Sequence, residues 1–162
     1  MTVTLVRGGA RSGKSAAAER RAGPGPVTYL ATAASDSDDL DMADRIAAHR
    51  ARRPATWTTV ECDDLVTAIR GSSGTVLVDS LTTWVARADG LAVESSSLCR
   101  SLAEHAGEVI VVSDEVGLGV HPSSEAGRLF RDALGLVNQA VAAVADDVLF
   151  VVAGRILRLD PA

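Results

Sequence analysis

The chain has 162 residues, long enough to bury a proper core, and the expectation is one domain spanning residues 1–162. A content of 47% hydrophobic and 23% charged residues is that of a soluble globular protein, and with only 3% aromatics the core must be built from Val, Leu, Ile and Ala. The net charge of −5 argues against a dedicated nucleic-acid binder, and no apolar stretch approaches the length of a bilayer span.

Taken in chain order, the first apolar run at residues 3–6 reads as a strand. It leads directly into Gly8-Gly9-Ala10-Arg11-Ser12-Gly13-Lys14-Ser15 and then into a helix-favouring stretch at 15–22, ended by Pro24 and Pro26. Residues 27–31 form a second strand, 35–39 a polar loop, and 40–50 a helix that stops before Arg53-Pro54. A short strand at 57–60 and a helix at 63–69 follow. Residues 76–78 and 109–112 are continuous apolar runs, the mark of strands buried on both faces, with a small-residue loop at 89–97 and a helix at 97–105 between them. The last helix spans 125–145, with Leu129, Ala133, Leu136, Ala140 and Val144 at helical spacing as a core-facing stripe. Strands at 148–152 and 156–159 around Ala153-Gly154-Arg155 close the chain as a β-hairpin. Alternation of strands and helices predicts a mainly parallel α/β sheet, with ligands at the carboxyl ends of its strands.

Cys62 and Cys99 have no close-spaced partners for a metal site or a disulfide framework, so they read as small buried residues in a reducing cytoplasm. The amino terminus enters a strand with no signal-peptide pattern, which again makes the cytoplasm the expected location.

The segment from Gly8 to Ser15 fits G-x-x-x-x-G-K-S between a strand and a helix, the context of a phosphate-binding P-loop. Gly8, Gly9, Ala10, Arg11, Ser12 and Gly13 would let backbone N–H groups turn inward at a helix N-terminus. Lys14 would reach the outer phosphates and Ser15 would help to hold Mg²⁺. The chain is therefore expected to bind a nucleoside triphosphate. Two strands end in acid. Asp79 follows an apolar strand and is placed to hold Mg²⁺ directly or through water. Asp114 and Glu115 end another, and either is a metal-organising group, a catalytic base or a loop-solvating carboxylate.

Of the three histidines, His49 shares a helix face with Met42 and Ile46. That pattern suits a satisfied, partly buried residue, although a neutral imidazole is also a good nucleophile toward phosphorus. His105 reads as a solvent-facing helix C-cap, and His121 lies in a loop after the acidic pair. Arg45, Arg50, Arg52 and Arg53 surround His49, either as a solvated basic helix end or as a phosphate-binding patch. Arg128 and Arg131 open the last helix and face either a phosphate, a neighbouring subunit or nearby carboxylates.

Several separate blocks resemble one family together. The P-loop, Asp41-Met42-Ala43-Asp44-Arg45-Ile46-Ala47-Ala48-His49-Arg50 with Arg53-Pro54-Ala55-Thr56-Trp57, Val78-Asp79-Ser80-Leu81-Thr82-Thr83-Trp84, Ser113-Asp114-Glu115-Val116-Gly117-Leu118-Gly119, and Phe130-Arg131-Asp132-Ala133-Leu134-Gly135-Leu136-Val137-Asn138-Gln139 are similar, in order, to motifs of the adenosylcobinamide kinase/adenosylcobinamide-phosphate guanylyltransferases. The resemblance implies a RecA-like P-loop fold, a homotrimer, and two reactions in cobalamin biosynthesis and salvage. ATP or GTP phosphorylates adenosylcobinamide, and GTP then donates GMP to that phosphate, giving adenosylcobinamide-GDP. It also implies that His49 carries GMP covalently, that Arg45, Arg53 and Glu115 join the P-loop and Asp79 in binding nucleotide, and that Mg²⁺ sits on Ser15 and Asp79. The expected partners are a corrinoid and nucleotides, with neither nucleic acid nor a membrane. A simpler P-loop small-molecule kinase and a non-enzymatic RecA-type nucleotide switch are the alternatives; neither needs His49 followed by Arg53-Pro54 and Trp57. Three positions depart from the family pattern: Asp114 stands where Asn is more usual, His121 replaces an apolar residue before Pro122, and residues 85–90 are short and lack an Asn.

Overall fold

The computed structural model describes residues 2–33, 51 and 53–161. The elements in order are β1 (Thr2–Gly8), α1 (Lys14–Ala22), β2 (Val27–Ala31), β3 (Trp57–Glu61), α2 (Leu65–Gly71), β4 (Thr75–Asp79), α3 (Leu81–Arg87), α4 (Ser95–Glu104), β5 (Glu108–Asp114), α5 (Glu125–Val144), β6 (Asp147–Val152) and β7 (Arg155–Leu159), with a short 3₁₀ turn at Asp89–Leu91. The predicted loop at 35–39 and helix at 40–50, with Arg45 and His49, lie outside the described residues.

The strands form one sheet in the order β3-β2-β4-β5-β1-β6-β7, parallel throughout except for the β6–β7 hairpin. Because side chains alternate along a strand, each central strand feeds two layers. Val3, Leu5, Leu30, Val76, Val78, Val109 and Val111 point to one face, where they meet Leu65 and Ile69 of α2, Leu81 and Val85 of α3, Leu98 and Leu102 of α4, and Leu134, Val137 and Val141 of α5. Val6, Val27, Tyr29, Leu77, Ile110, Val112 and Val151 point to the other face, against Ala17 and Ala18 of α1. Small side chains on α1 let that helix lie close to the sheet, directly after the glycine loop.

Three of the helix starts are set by Asp or Ser side-chain caps. Asp64 accepts from Thr67 N at 3.0 Å at the head of α2, and Ser124 accepts from Gly127 N at 3.1 Å at the head of α5. Ser80 caps α3 in the same way. That helix was not expected from the sequence, because Leu81-Thr82-Thr83-Trp84-Val85 is rich in β-favouring types. Burial of Leu81 and Val85, one helical turn apart, outweighs the propensity.

Two expectations are corrected. The stripe predicted for the last helix faces outward at its two leucines, Leu129 being 57% and Leu136 68% exposed. The packed stripe is Phe130, Leu134, Val137 and Val141, which has equally good helical spacing and differs only in register. His105 does cap α4, but it is buried, with Nε2 2.8 Å from the Gly74 carbonyl oxygen, because the β4 turn closes over it. Among the described residues, no helix is long and apolar enough to cross a membrane.

Candidate active site

The carboxyl end of β1 delivers Gly8 into a tight loop, with Ser12 N bonded to Gly9 O at 3.3 Å. Arg11 and Gly13 take left-handed backbone angles, φ 54° and 95°. Gly13 then caps α1 without a side-chain hydrogen bond, and the first helical turn carries no acid. No side-chain cap takes up the amides at this helix start, an arrangement that suits an anion. A Cβ on Gly8 would sit 2.6 Å from the Val151 carbonyl oxygen, so glycine is required for the loop to pass β6. The Ser12 hydroxyl is buried in the loop with no partner among the described residues. Gly154 N, in the β6–β7 turn, donates to Ser12 O at 2.8 Å and fixes the loop from outside.

Lys14 curls back over this cradle. Its Nζ donates to Gly9 O at 3.2 Å and lies 2.5 Å from Asp114 Oδ1, with the lysine side chain 14% exposed and that of the aspartate 29%. Asp114 is itself fixed through its backbone, N to Thr82 Oγ1 at 2.9 Å and O to Asn138 Nδ2 at 3.3 Å. Strand alternation explains which acid turns inward. Val112 faces α1, so Asp114, two residues on, faces it as well, whereas Glu115 is one step out of phase. Glu115 pairs with Arg7, accepts from Gly117 N at 2.7 Å, and its own N–H bonds Gly8 O at 3.0 Å. It braces the loop that borders the cradle.

Asp79 follows the same rule from Leu77 and shares the α1 face. The buried Tyr29 hydroxyl donates to its Oδ2. Burial, and then the adjacent Asp79 charge, push the Tyr29 hydroxyl well above the ordinary phenol range. The Arg53 guanidinium lies 3.3 Å over the Tyr29 ring and donates to Thr59 Oγ1 at 3.1 Å, while Trp57 stacks on the ring's other neighbourhood at 6.4 Å between centroids. Arg53, Tyr29 and Asp79 thus form one chain of contacts. Sequence reading missed Tyr29 and Thr82. The two-residue period from Tyr29 to Ala31, which pairs with Asp79 across the ladder, was the available signal for the first.

No three His, Cys, Asp or Glu side chains among the described residues converge on a metal position. A divalent ion here would have to use a hydroxyl, one carboxylate, phosphate oxygens and water, an all-oxygen set that suits Mg²⁺. His121 is exposed, and its Nδ1 accepts from Arg131 Nη1 at 3.0 Å. On the opposite face of the same sheet edge, a cavity of about 420 Å³ is lined by Thr32, Cys62, Asp63, Trp84, Arg87 and Glu94, among others. Arg87 closes it, donating to Thr32 O at 2.6 Å and pairing with Asp63 at 2.5 Å, and burial raises the Cys62 thiol pKa there.

The family described as cobinamide kinase / cobinamide phosphate guanyltransferase matches residues 4–159. The chain belongs to this family. It is 42% identical to the bifunctional adenosylcobalamin biosynthesis protein CobP of Pseudomonas aeruginosa, over 93% of this chain and 92% of that protein. It is 38% identical to the bifunctional adenosylcobalamin biosynthesis protein CobU of Salmonella typhimurium, over 93% of this chain and 95% of that protein. Among solved structures, the flagellar accessory protein FlaH of Methanocaldococcus jannaschii superposes with a TM-score of 0.50 at 12% identity, covering 96% of this chain and 74% of that one. That likeness speaks for fold alone, and the fold is RecA-like: a P-loop on a mostly parallel sheet flanked by helices.

Proposed function

We propose that this family member phosphorylates adenosylcobinamide with ATP or GTP and then transfers GMP from GTP to the product, giving adenosylcobinamide-GDP. The observation that carries the reading is an intact phosphate cradle, Gly8 to Ser15 with Lys14 folded over it, in a chain that matches the family from residue 4 to 159. In the kinase step the acceptor hydroxyl oxygen attacks the γ-phosphorus, the bond from that phosphorus to the β–γ bridging oxygen breaks, and the hydroxyl proton passes to water. The loop amides and Lys14 hold the phosphates and offset the charge that gathers on the leaving diphosphate.

In the second reaction neutral His49 attacks the α-phosphorus, a P–N bond forms, and pyrophosphate leaves. The adenosylcobinamide phosphate oxygen then attacks the same phosphorus and the P–N bond breaks, returning the imidazole. Splitting the transfer into two displacements is the gain of a covalent nucleophile. Mg²⁺, when bound by the Ser15 hydroxyl and the Asp79 carboxylate, supplies further charge neutralisation. Tyr29 orients Asp79, and Arg53, anchored on the Tyr29 ring, brings positive charge to the same side. Arg45 and Glu115 complete the nucleotide set in this reading, Glu115 through its hold on the Gly8 turn. The cavity bounded by Trp84 and Arg87 offers room for part of a corrinoid acceptor at the same sheet edge. A single domain working as a homotrimer in the cytoplasm belongs to the same proposal and rests on the family pattern.

Incubation with α-labelled GTP is expected to give an acid-labile, alkali-stable protein adduct that His49→Ala abolishes. Labelling that survives His49→Ala but is lost in His121→Ala would reassign the nucleophile. Phosphoryl transfer with no adduct at all would leave a simple kinase, and absence of both labelling and adenosylcobinamide turnover would remove the reading.

A further inference from the structure

We propose that Asp114 is a resident counter-ion of the P-loop lysine, competing with polyphosphate for Lys14 and thereby speeding the release of pyrophosphate. Lys14 has three N–H donors. One is given to Gly9 O and one to Asp114 Oδ1 at 2.5 Å, so in this structure the charge that should meet the outer phosphates is already matched by a carboxylate. The match is built in. Asp114 sits at the end of β5, on the α1 face by strand alternation, and its backbone is held on both sides by Thr82 and Asn138. The neighbouring acid, Glu115, is engaged by Arg7 on the opposite side of the strand and does not share the role.

A phosphate oxygen in charge-assisted contact with Lys14 Nζ must approach to about 2.8 Å. With Asp114 Oδ1 2.5 Å from the same nitrogen, the two anions can then be no more than about 5 Å apart unless the side chains separate. Either the carboxylate stays and repels the phosphate, or Lys14 exchanges partners. Both outcomes weaken polyphosphate binding relative to an uncharged residue at 114, and both favour departure of pyrophosphate once the α–β bond has broken. The inference takes only the identity of that product from the guanylyl-transfer reading.

The test is calorimetric titration of the full chain with inorganic pyrophosphate at fixed Mg²⁺ and ionic strength, comparing wild type with Asp114→Asn. Asparagine keeps the shape and can still accept from Lys14, so only the charge is removed. The expected result is a Kd lower by about tenfold. A merely structural role would weaken binding or leave it unchanged, and either result overturns the proposal. Asp114→Ser provides a second variant should the first fail to fold, and it must also bind pyrophosphate more tightly. In thermal melts Asp114→Asn should lower the ligand-free Tm while enlarging the shift caused by pyrophosphate; a smaller shift counts against the idea. Pyrophosphate binding needs neither corrinoid nor a histidine adduct. Loss of GTP labelling alongside a retained gain in affinity would therefore refute the transfer chemistry and leave the counter-ion standing.

Discussion

Tyr29→Phe isolates one buried hydrogen bond to the Asp79 carboxylate. The ring is 3% exposed, stacked near Trp57 and covered by Arg53, and phenylalanine keeps all of that contact. What disappears is the hydroxyl that donates to Asp79. A hydrogen bond to a charged acceptor contributes about 1.5–3 kcal/mol, and because Asp79 is only half-buried and can regain water, the lower end applies. For a chain of this size that lowers Tm by roughly 3–6 °C near neutral pH. The pH dependence is the sharper readout. The folded-state pKa of Tyr29 is raised above its ordinary value of 10.0, by burial first and by Asp79 second. The unfolded chain therefore releases this proton near pH 10 while the native state keeps it, so the stabilisation is complete below that pH and declines above it. The slope is about 1.4 kcal/mol per pH unit for one group. Denaturant unfolding of both proteins between pH 8 and 11 should show the wild type losing stability faster than the variant, and the gap between them narrowing by about 1.4 kcal/mol at pH 11. Curves that stay parallel over that range would mean that Tyr29 ionises normally in the native state, and the buried Tyr29–Asp79 bond would be refuted.

Two substitutions in α5 test the face that packs: Leu134→Ala, at a fully buried position, should cost about 2–5 kcal/mol in chemical denaturation, whereas Leu136→Ala, 68% exposed, should stay within about 0.5 kcal/mol. A larger loss at Leu136 would restore the stripe expected from sequence. Gly8→Ala would drive a methyl group to 2.6 Å from the Val151 carbonyl oxygen, so the loop must leave its path; nucleotide titration should show at least a tenfold loss of affinity, and normal binding would contradict the close passage of the loop under β6.

All seven strands were legible in the sequence; β4 and β5 stand out as continuous apolar runs because both of their faces are buried, whereas the edge strands β3 and β7 are largely exposed and show only as short β-favouring stretches. The P-loop was legible for a different reason, since its glycine and lysine spacing is a motif that no helix or strand period produces. Two details were harder. The last helix carries two leucine-bearing stripes, and nothing local distinguishes them; the sheet selects the one with Leu134, Val137 and Val141. Helix α3 hides behind β-branched residues and declares itself only through the Ser80 cap and the pairing of Leu81 with Val85. In the site, Asp114 was within reach of sequence reasoning had the strand period been carried from Val112 to the strand end. Tyr29 needed the order of the sheet, since its partner lies 50 residues away on β4, which pairs with β2 although β3 comes between them in the chain.

The C-terminal hairpin has a role that its distance from the motif conceals. Arg11 holds a left-handed backbone conformation that a non-glycine residue adopts only when its surroundings impose it. The surroundings here come from both ends of the chain. Ala153 and Gly154 take positive φ values of 50° and 71°, the pattern of a two-residue hairpin turn, and this aims Gly154 N at Ser12 O. Gly13 packs against the same turn closely enough that a Cβ would lie 3.4 Å from Gly154 Cα. From the other side, Glu115 N holds Gly8 O at 3.0 Å and Lys14 holds Gly9 O at 3.2 Å. The loop is therefore fixed in its anion-binding shape before any nucleotide arrives, and the ordering cost falls on folding rather than on binding. A cradle that rigid would retain its product, pyrophosphate, as well as its substrate. A carboxylate standing 2.5 Å from its lysine is the counterweight such rigidity requires.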